Sequence, residues 1–183
     1  LEALIANQNL VQLFTTDDKL NSLRASKIAK EFGLTYLMKG SGNEFERIDE
    51  IKNTNSKFII PINFPEAYDV SDPIQANQME LKDFRFWNQA PSNLKVLADN
   101  GVVFALTTDN LKKMDSFKTN LLKAIQYGFD STKALEALSS IPFQYNELSP
   151  EFLIKLKLIF TLITLKKAKR NKKKCFKNFQ FNK

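Results

Sequence analysis

The chain contains no histidine. No imidazole is present to ligate a metal, take a proton or activate a nucleophile, so any such chemistry falls to carboxylates, amines and hydroxyls. Cys175 is the one cysteine, which excludes an internal disulfide framework and a cysteine-rich zinc site. The phosphate-loop pattern G-x-x-x-x-G-K-S/T is absent, and Lys39-Gly-Ser-Gly42 reads as a flexible turn. The one long apolar run, Phe152 to Leu165, covers about 14 residues and is broken by Lys155 and Lys157, too short to span a bilayer. No signal peptide is visible. Leu1-Glu-Ala-Leu-Ile5 reads as the inside of a continuing helix, the expectation for a fragment or a processed chain, so localisation stays unassigned.

The net charge of +7 is unevenly placed. Residues 151–183 hold eleven Lys/Arg and one acid, which leaves sixteen Lys/Arg against nineteen acids in residues 1–150. The basicity belongs to the tail, and the body is a slightly acidic globular sequence without a nucleic-acid signature. Phe84, Phe86 and Trp87 fit helix packing better than a base-stacking surface, because no basic groove accompanies them.

Within the body, strand and helix patterns alternate. Leu10–Thr15, Leu34–Met38, Lys57–Ile62 and Val102–Thr108 are short apolar runs with strand character. Asp17 and Asp18 cap a helix whose Leu20, Leu23, Ile28, Ala29 and Phe32 are spaced for one face, and Gly33 suits its C-terminus. Further helices are predicted over 44–52 (Phe45, Ile48 and Ile51 inward), 78–88, 92–100, 116–127 and 130–140, with Pro142 as a stop. This order reads as an α/β fold of parallel βα units, either half of an eight-stranded barrel or a small open sheet.

In such folds, ligands meet side chains just beyond the C-terminal ends of the strands. Here those groups are Thr15, Thr16 and Asp17; Lys39 and Ser41; Asn63 and Glu66; and Thr107, Thr108 and Asp109. Asp109, at the end of a run apolar enough to be central, is the candidate catalytic carboxylate, with helix capping at Asn110-Leu111 as its alternative. Lys39 and Asn63 are the candidate substrate-binding side chains. Lys39 and Asp109 can serve as a metal-free acid/base pair only if they lie within about 3–4 Å, directly or through one water, of a common point. A solvated or ion-paired Lys39 is the plainer reading.

The ordered set Leu23-Arg-Ala-Ser-Lys-Ile-Ala-Lys-Glu-Phe-Gly33, Lys39-Gly-Ser-Gly42, Ala90-Pro-Ser-Asn93 and Phe104-Ala-Leu-Thr-Thr-Asp109 resembles the second half of the amidohydrolase domain. Leu121-Leu-Lys-Ala-Ile-Gln-Tyr-Gly128 and Lys133-Ala-Leu-Glu-Ala-Leu138 match it too, and the imidazolonepropionase-related branch is the nearest in wording. The resemblance implies strands 5–8 of a TIM-type (β/α)8 barrel, with the remainder of that barrel as partner. It also implies hydrolysis of non-peptide C–N bonds in small amides or cyclic amides by a metal-activated water. Asp109 falls on the eighth-strand aspartate, which in the family binds metal and relays a proton. Thr15 (or Phe14) stands where the fifth-strand histidine belongs, and Lys39 where the sixth-strand histidine belongs. A hydroxyl is a poor ligand and an ammonium repels a cation, so the family's divalent zinc is not expected on this chain alone.

The resemblance ends near Ile141, which places a partial amidohydrolase-like barrel at 1–141 and a divergent basic tail at 142–183. The tail's composition fits an out-of-frame or disordered segment, and contact with a membrane surface through it is not favoured. Two functions follow as expectations. One is a degenerate amidohydrolase domain, and the other is an inactive ligand-binding or scaffold barrel.

Overall fold

The structure is a computed structural model that describes Glu2, residues 10–111, Lys113 and residues 115–145. The chain divides into two units, residues 1–145 and 146–183, so expectations for the basic tail from residue 146 onward, and for the opening segment apart from Glu2, lie outside the described residues. Four strands form the described sheet: β1 (Gln12–Thr15), β2 (Tyr36–Lys39), β3 (Lys57–Pro61) and β4 (Phe104–Thr107). They pair in chain order, and every pairing is parallel. The expected α/β fold of parallel βα units is therefore present.

Between β1 and β2 runs α1 (Lys19–Glu31). A single 3-10 turn (Glu44–Arg47) and α2 (Ile48–Asn53) join β2 to β3. The longer crossover to β4 holds α3 (Pro73–Gln78), α4 (Leu81–Gln89), a second 3-10 turn (Ala90–Ser92) and α5 (Asn93–Asp99). After β4 come α6 (Ser116–Gln126), α7 (Ser131–Leu138) and α8 (Ser140–Tyr145). None of the described helices is long and apolar enough to cross a membrane.

The register decides which residues share a face. Met38, Phe58 and Phe104 lie on neighbouring rungs with Ile60 two residues on, and side chains alternate along a strand. These four belong to the core, together with Ala25 of α1, Ile51 of α2, Leu94 and Leu97 of α5, Ala124 of α6, and Ala134 and Ala137 of α7. The other face carries Leu13, Leu37 and Lys57 on one rung, Thr15, Lys39, Ile59 and Ala105 on the next, then Pro61 and Thr107. None of these nine belongs to that core. Each of the three crossovers delivers at least one helix to the first face, α1, α2 and α5.

Two expectations are corrected. Of the face expected for α1, Ala29 is buried and Leu23 packs against the core, but Leu20, Ile28 and Phe32 are 41, 49 and 72% exposed, and the remaining buried positions are the small Ser22, Ala25 and Ser26. Small side chains let the helix lie close to the strands, and their hydroxyls are accommodated: Ser22 Oγ sits 2.8 Å from the Thr16 hydroxyl. Pro142 does not stop a helix. It sits in the first turn of α8, where a missing N–H is tolerated, and α8 continues to Tyr145 across the expected boundary at 141. Tyr145 is buried, and its hydroxyl donates to the Phe58 carbonyl at 3.2 Å.

Candidate functional site

Thr15 and Lys39 are register partners and end β1 and β2 on the face opposite the core, and Thr107 ends β4 on that face. Beyond β4 the chain makes a tight turn. Leu111 N–H returns to the Thr108 carbonyl at 3.2 Å, and Asn110 takes a positive φ of 61°. The Asp109 amide donates to the Thr107 hydroxyl at 3.2 Å. Asp109 is therefore a turn residue rather than a helix cap, and its carboxylate is free to reach sideways.

It reaches Lys39. The Lys39 ammonium donates to Asp109 Oδ2 in an ion pair that passes over the end of β3, since β2 and β4 are both neighbours of β3. Both side chains remain partly accessible to solvent, which leaves two ammonium hydrogens and Asp109 Oδ1 for other partners. Two residues 70 positions apart are thus brought together as strand-end convergence requires.

The backbone around Lys39 is held on both sides. Its carbonyl accepts from the Thr16 amide at 3.0 Å and from the Thr16 hydroxyl at 2.9 Å. On the other side, Gly40 N–H donates to the Ile59 carbonyl at 3.0 Å. The loop that follows wraps the wholly buried Glu44. Glu44 Oε1 accepts from Ser41 N–H at 2.7 Å and Gly42 N–H at 3.1 Å, and Oε2 accepts from Asn93 Nδ2 at 2.8 Å. Gly40 has no alternative here: a Cβ on it would lie 2.9 Å from Ile60 Cδ1 and would also strike the Glu44 carboxylate. The backbone N–H groups that might have held a phosphate already hold the chain's own carboxylate.

Sequence reasoning missed Glu44 and Asn93. An acid at the start of a helical pattern reads as a complement to the helix dipole. The available signal was the Gly40-x-Gly42 loop itself, whose amides need an acceptor, two residues before an acid.

The other expected site residues do not join the pair. Thr15 is exposed, and Asn63 is exposed two residues beyond the end of β3; no hydrogen bond or ion pair among the described residues links Asn63 to Lys39 or Asp109. Asp18 rather than Asp17 caps α1, accepting from Asn21 N–H at 2.8 Å. Phe86 stacks on Phe45 at 6.2 Å, and Phe84 meets Tyr68 edge-on at 5.5 Å, the packing roles expected of that cluster. An open groove of about 440 Å³ lies between the 3-10 turn and α4, lined in part by Phe45, Phe86 and Arg85. It is not formed by the strand-end residues.

Comparison with protein-family models, with curated proteins and with solved structures gave no match. The reading of the site therefore rests on its own chemistry. The residues do not fit a zinc centre. Asp109 is already bonded to an ammonium, the neighbouring strand end offers a threonine hydroxyl, and no group of three or more metal-ligating side chains occurs among the described residues.

Proposed function

We propose that this chain is an amidohydrolase-like half-barrel domain that no longer carries the family's metal chemistry, and that its strand-end face binds a small amide or cyclic amide without hydrolysing it. The Lys39–Asp109 ion pair carries the reading. An ammonium stands beside the carboxylate where the resemblance implies a metal, so the positive charge is covalently fixed and no metal-bound water is formed. What the pair offers instead is a donor next to an acceptor. A cyclic amide presents the complementary edge, with its carbonyl toward the remaining Lys39 hydrogens and its N–H toward Asp109 Oδ1.

The test combines metal analysis with ligand titration. The purified protein, exposed to zinc and desalted, is expected to hold no stoichiometric zinc. Hydantoin, a simple cyclic amide, is expected to shift NMR resonances of residues around Lys39 and Asp109, to lose that effect in Lys39→Met and Asp109→Asn, and to emerge unhydrolysed. Stoichiometric zinc that disappears with Asp109→Ala sinks the proposal and restores the metal hydrolase. Use of the same pair as a metal-free acid and base is the second reading, favoured by the direct contact. It predicts turnover that Lys39→Arg abolishes, because arginine keeps the charge and does not give up its proton.

A further inference from the structure

A parallel sheet is normally covered on both faces. Here all three crossovers deliver their core residues to one face, through Ala25, Ile51, Leu94 and Leu97. The opposite face carries apolar residues too, Leu13 and Leu37 on the rung of Lys57, and Ile59 and Ala105 on the rung of Thr15 and Lys39. These residues are least covered where the sheet ends: Leu13 of β1 is 59% exposed, and Val11, two residues before it, is 54% exposed. None of the three crossovers supplies a core residue to the opposite face. Among the described residues no helix delivers core residues to the inner face, and curling the sheet into a barrel would cover it; four strands are too few to close one around side chains, whereas about eight suffice.

We infer that two copies of this chain close one eight-stranded parallel barrel, β1 of each pairing with β4 of the other about a two-fold axis along the strands. The geometry names the partner. In the described sheet the outer strands are β1 and β4, and both run in the same direction. A two-fold axis along the strands preserves that direction, so each β1 meets a β4 in parallel and no edge is left over. The same operation brings Leu13, Leu37, Ile59 and Ala105 of both copies into one interior, with Lys57 toward its start and Lys39 toward its rim; branched and small side chains are the filling such barrels use. It also brings a second Lys39–Asp109 pair to the same rim. The inference rests on strand order and helix placement, and metal content and hydantoin binding can fail or succeed independently of it.

The full chain, with Cys175→Ser to remove the native thiol, is measured by light scattering after size exclusion. A discrete dimer is expected, and Leu13→Lys, which puts a charge on the pairing edge, is expected to convert it to a monomer. Cysteines are then placed at Leu13 on β1 and, in separate variants, at Ala105 or Thr107 on β4, two rungs that allow for barrel stagger. Within one copy these edges are three strand spacings apart, about 14 Å, beyond disulfide reach. A covalent dimer from at least one double variant, and from neither kind of single variant, supports the closed pair. A monomeric parent chain overturns it, including one that becomes a complex only with a separate polypeptide. A cross-linked ladder of trimers and larger species, or aggregation without a dimer, overturns it as well, because an unclosed edge propagates.

Discussion

Glutamine at position 44 preserves the shape of the buried side chain and removes its charge. Its single oxygen can still accept from Ser41 and Gly42, which leaves its amide nitrogen facing Asn93 Nδ2. Asn93 cannot turn over to help, because its own Oδ1 is held by the Phe45 N–H at 2.9 Å. Two donors then oppose each other at a site without solvent access. Losing one charge-assisted bond and stranding a donor puts the destabilisation of Glu44→Gln at about 2–3 kcal/mol. Asn93→Asp alone sets two carboxylates against each other and is expected to be at least as damaging. Combined, the two changes reverse donor and acceptor: the glutamine nitrogen donates to the new carboxylate, which still accepts from Phe45. The double variant should therefore be more stable than either single one, with a coupling energy of about 2 kcal/mol or more. Urea unfolding at one fixed protein concentration, followed through the single half-buried Trp87, reads this directly. With a denaturant slope near 2 kcal/mol/M, Glu44→Gln should lower the midpoint by roughly 1–1.5 M. A shift under about 0.3 M, or additive effects in the double variant, refutes the reasoning.

Gly40→Ala should destabilise by about 1–3 kcal/mol, since the added methyl meets the buried Ile60 side chain and the Glu44 carboxylate; calorimetry showing an unchanged Tm counts against that crowding. Burial pushes the Tyr145 phenol well above its ordinary value of 10.0, so the neutral form is the one the fold stabilises. That contribution is intact below about pH 10 and drains away as the pH rises beyond the titration of free tyrosine. Tyr145→Phe should cost about 1 kcal/mol near neutrality through loss of the bond to Phe58 and remove a late-ionising phenolate from the alkaline ultraviolet titration; an unaltered titration curve excludes the assignment.

The strands were legible because each is a short apolar run bounded by turn residues, and their order followed from the alternation with helices. Their limits shifted by only one or two residues, as at β2, which begins at Tyr36 and includes Lys39. Convergence of Lys39 and Asp109 was legible from position alone, because parallel strands put their ends on one rim. Which ends touch was not. That depends on the turn at Asn110, which aims Asp109 across β3, and on the anchoring of Lys39 by Thr16. Asn63 shows the limit: it occupies a proper strand-end position and still points to no partner in the pair. The buried Glu44–Asn93 contact joins residues 49 positions apart, and no local pattern encodes it.

Helix α1 buries its smallest residues while all its large apolar residues but Leu23 are turned outward, which inverts the usual guide to where substitution does harm. At Ser22, Ala25, Ser26 and Ala29 the space is set by the distance between helix axis and sheet, so each added carbon must push the whole helix. Leu20, Ile28 and Phe32 are exposed in this unit, Phe32 the most, so glutamine or lysine there costs less than a change at the four buried positions. An engineer ranking positions by hydrophobicity would freeze the three residues that tolerate change better, and would redesign the four that tolerate it worse.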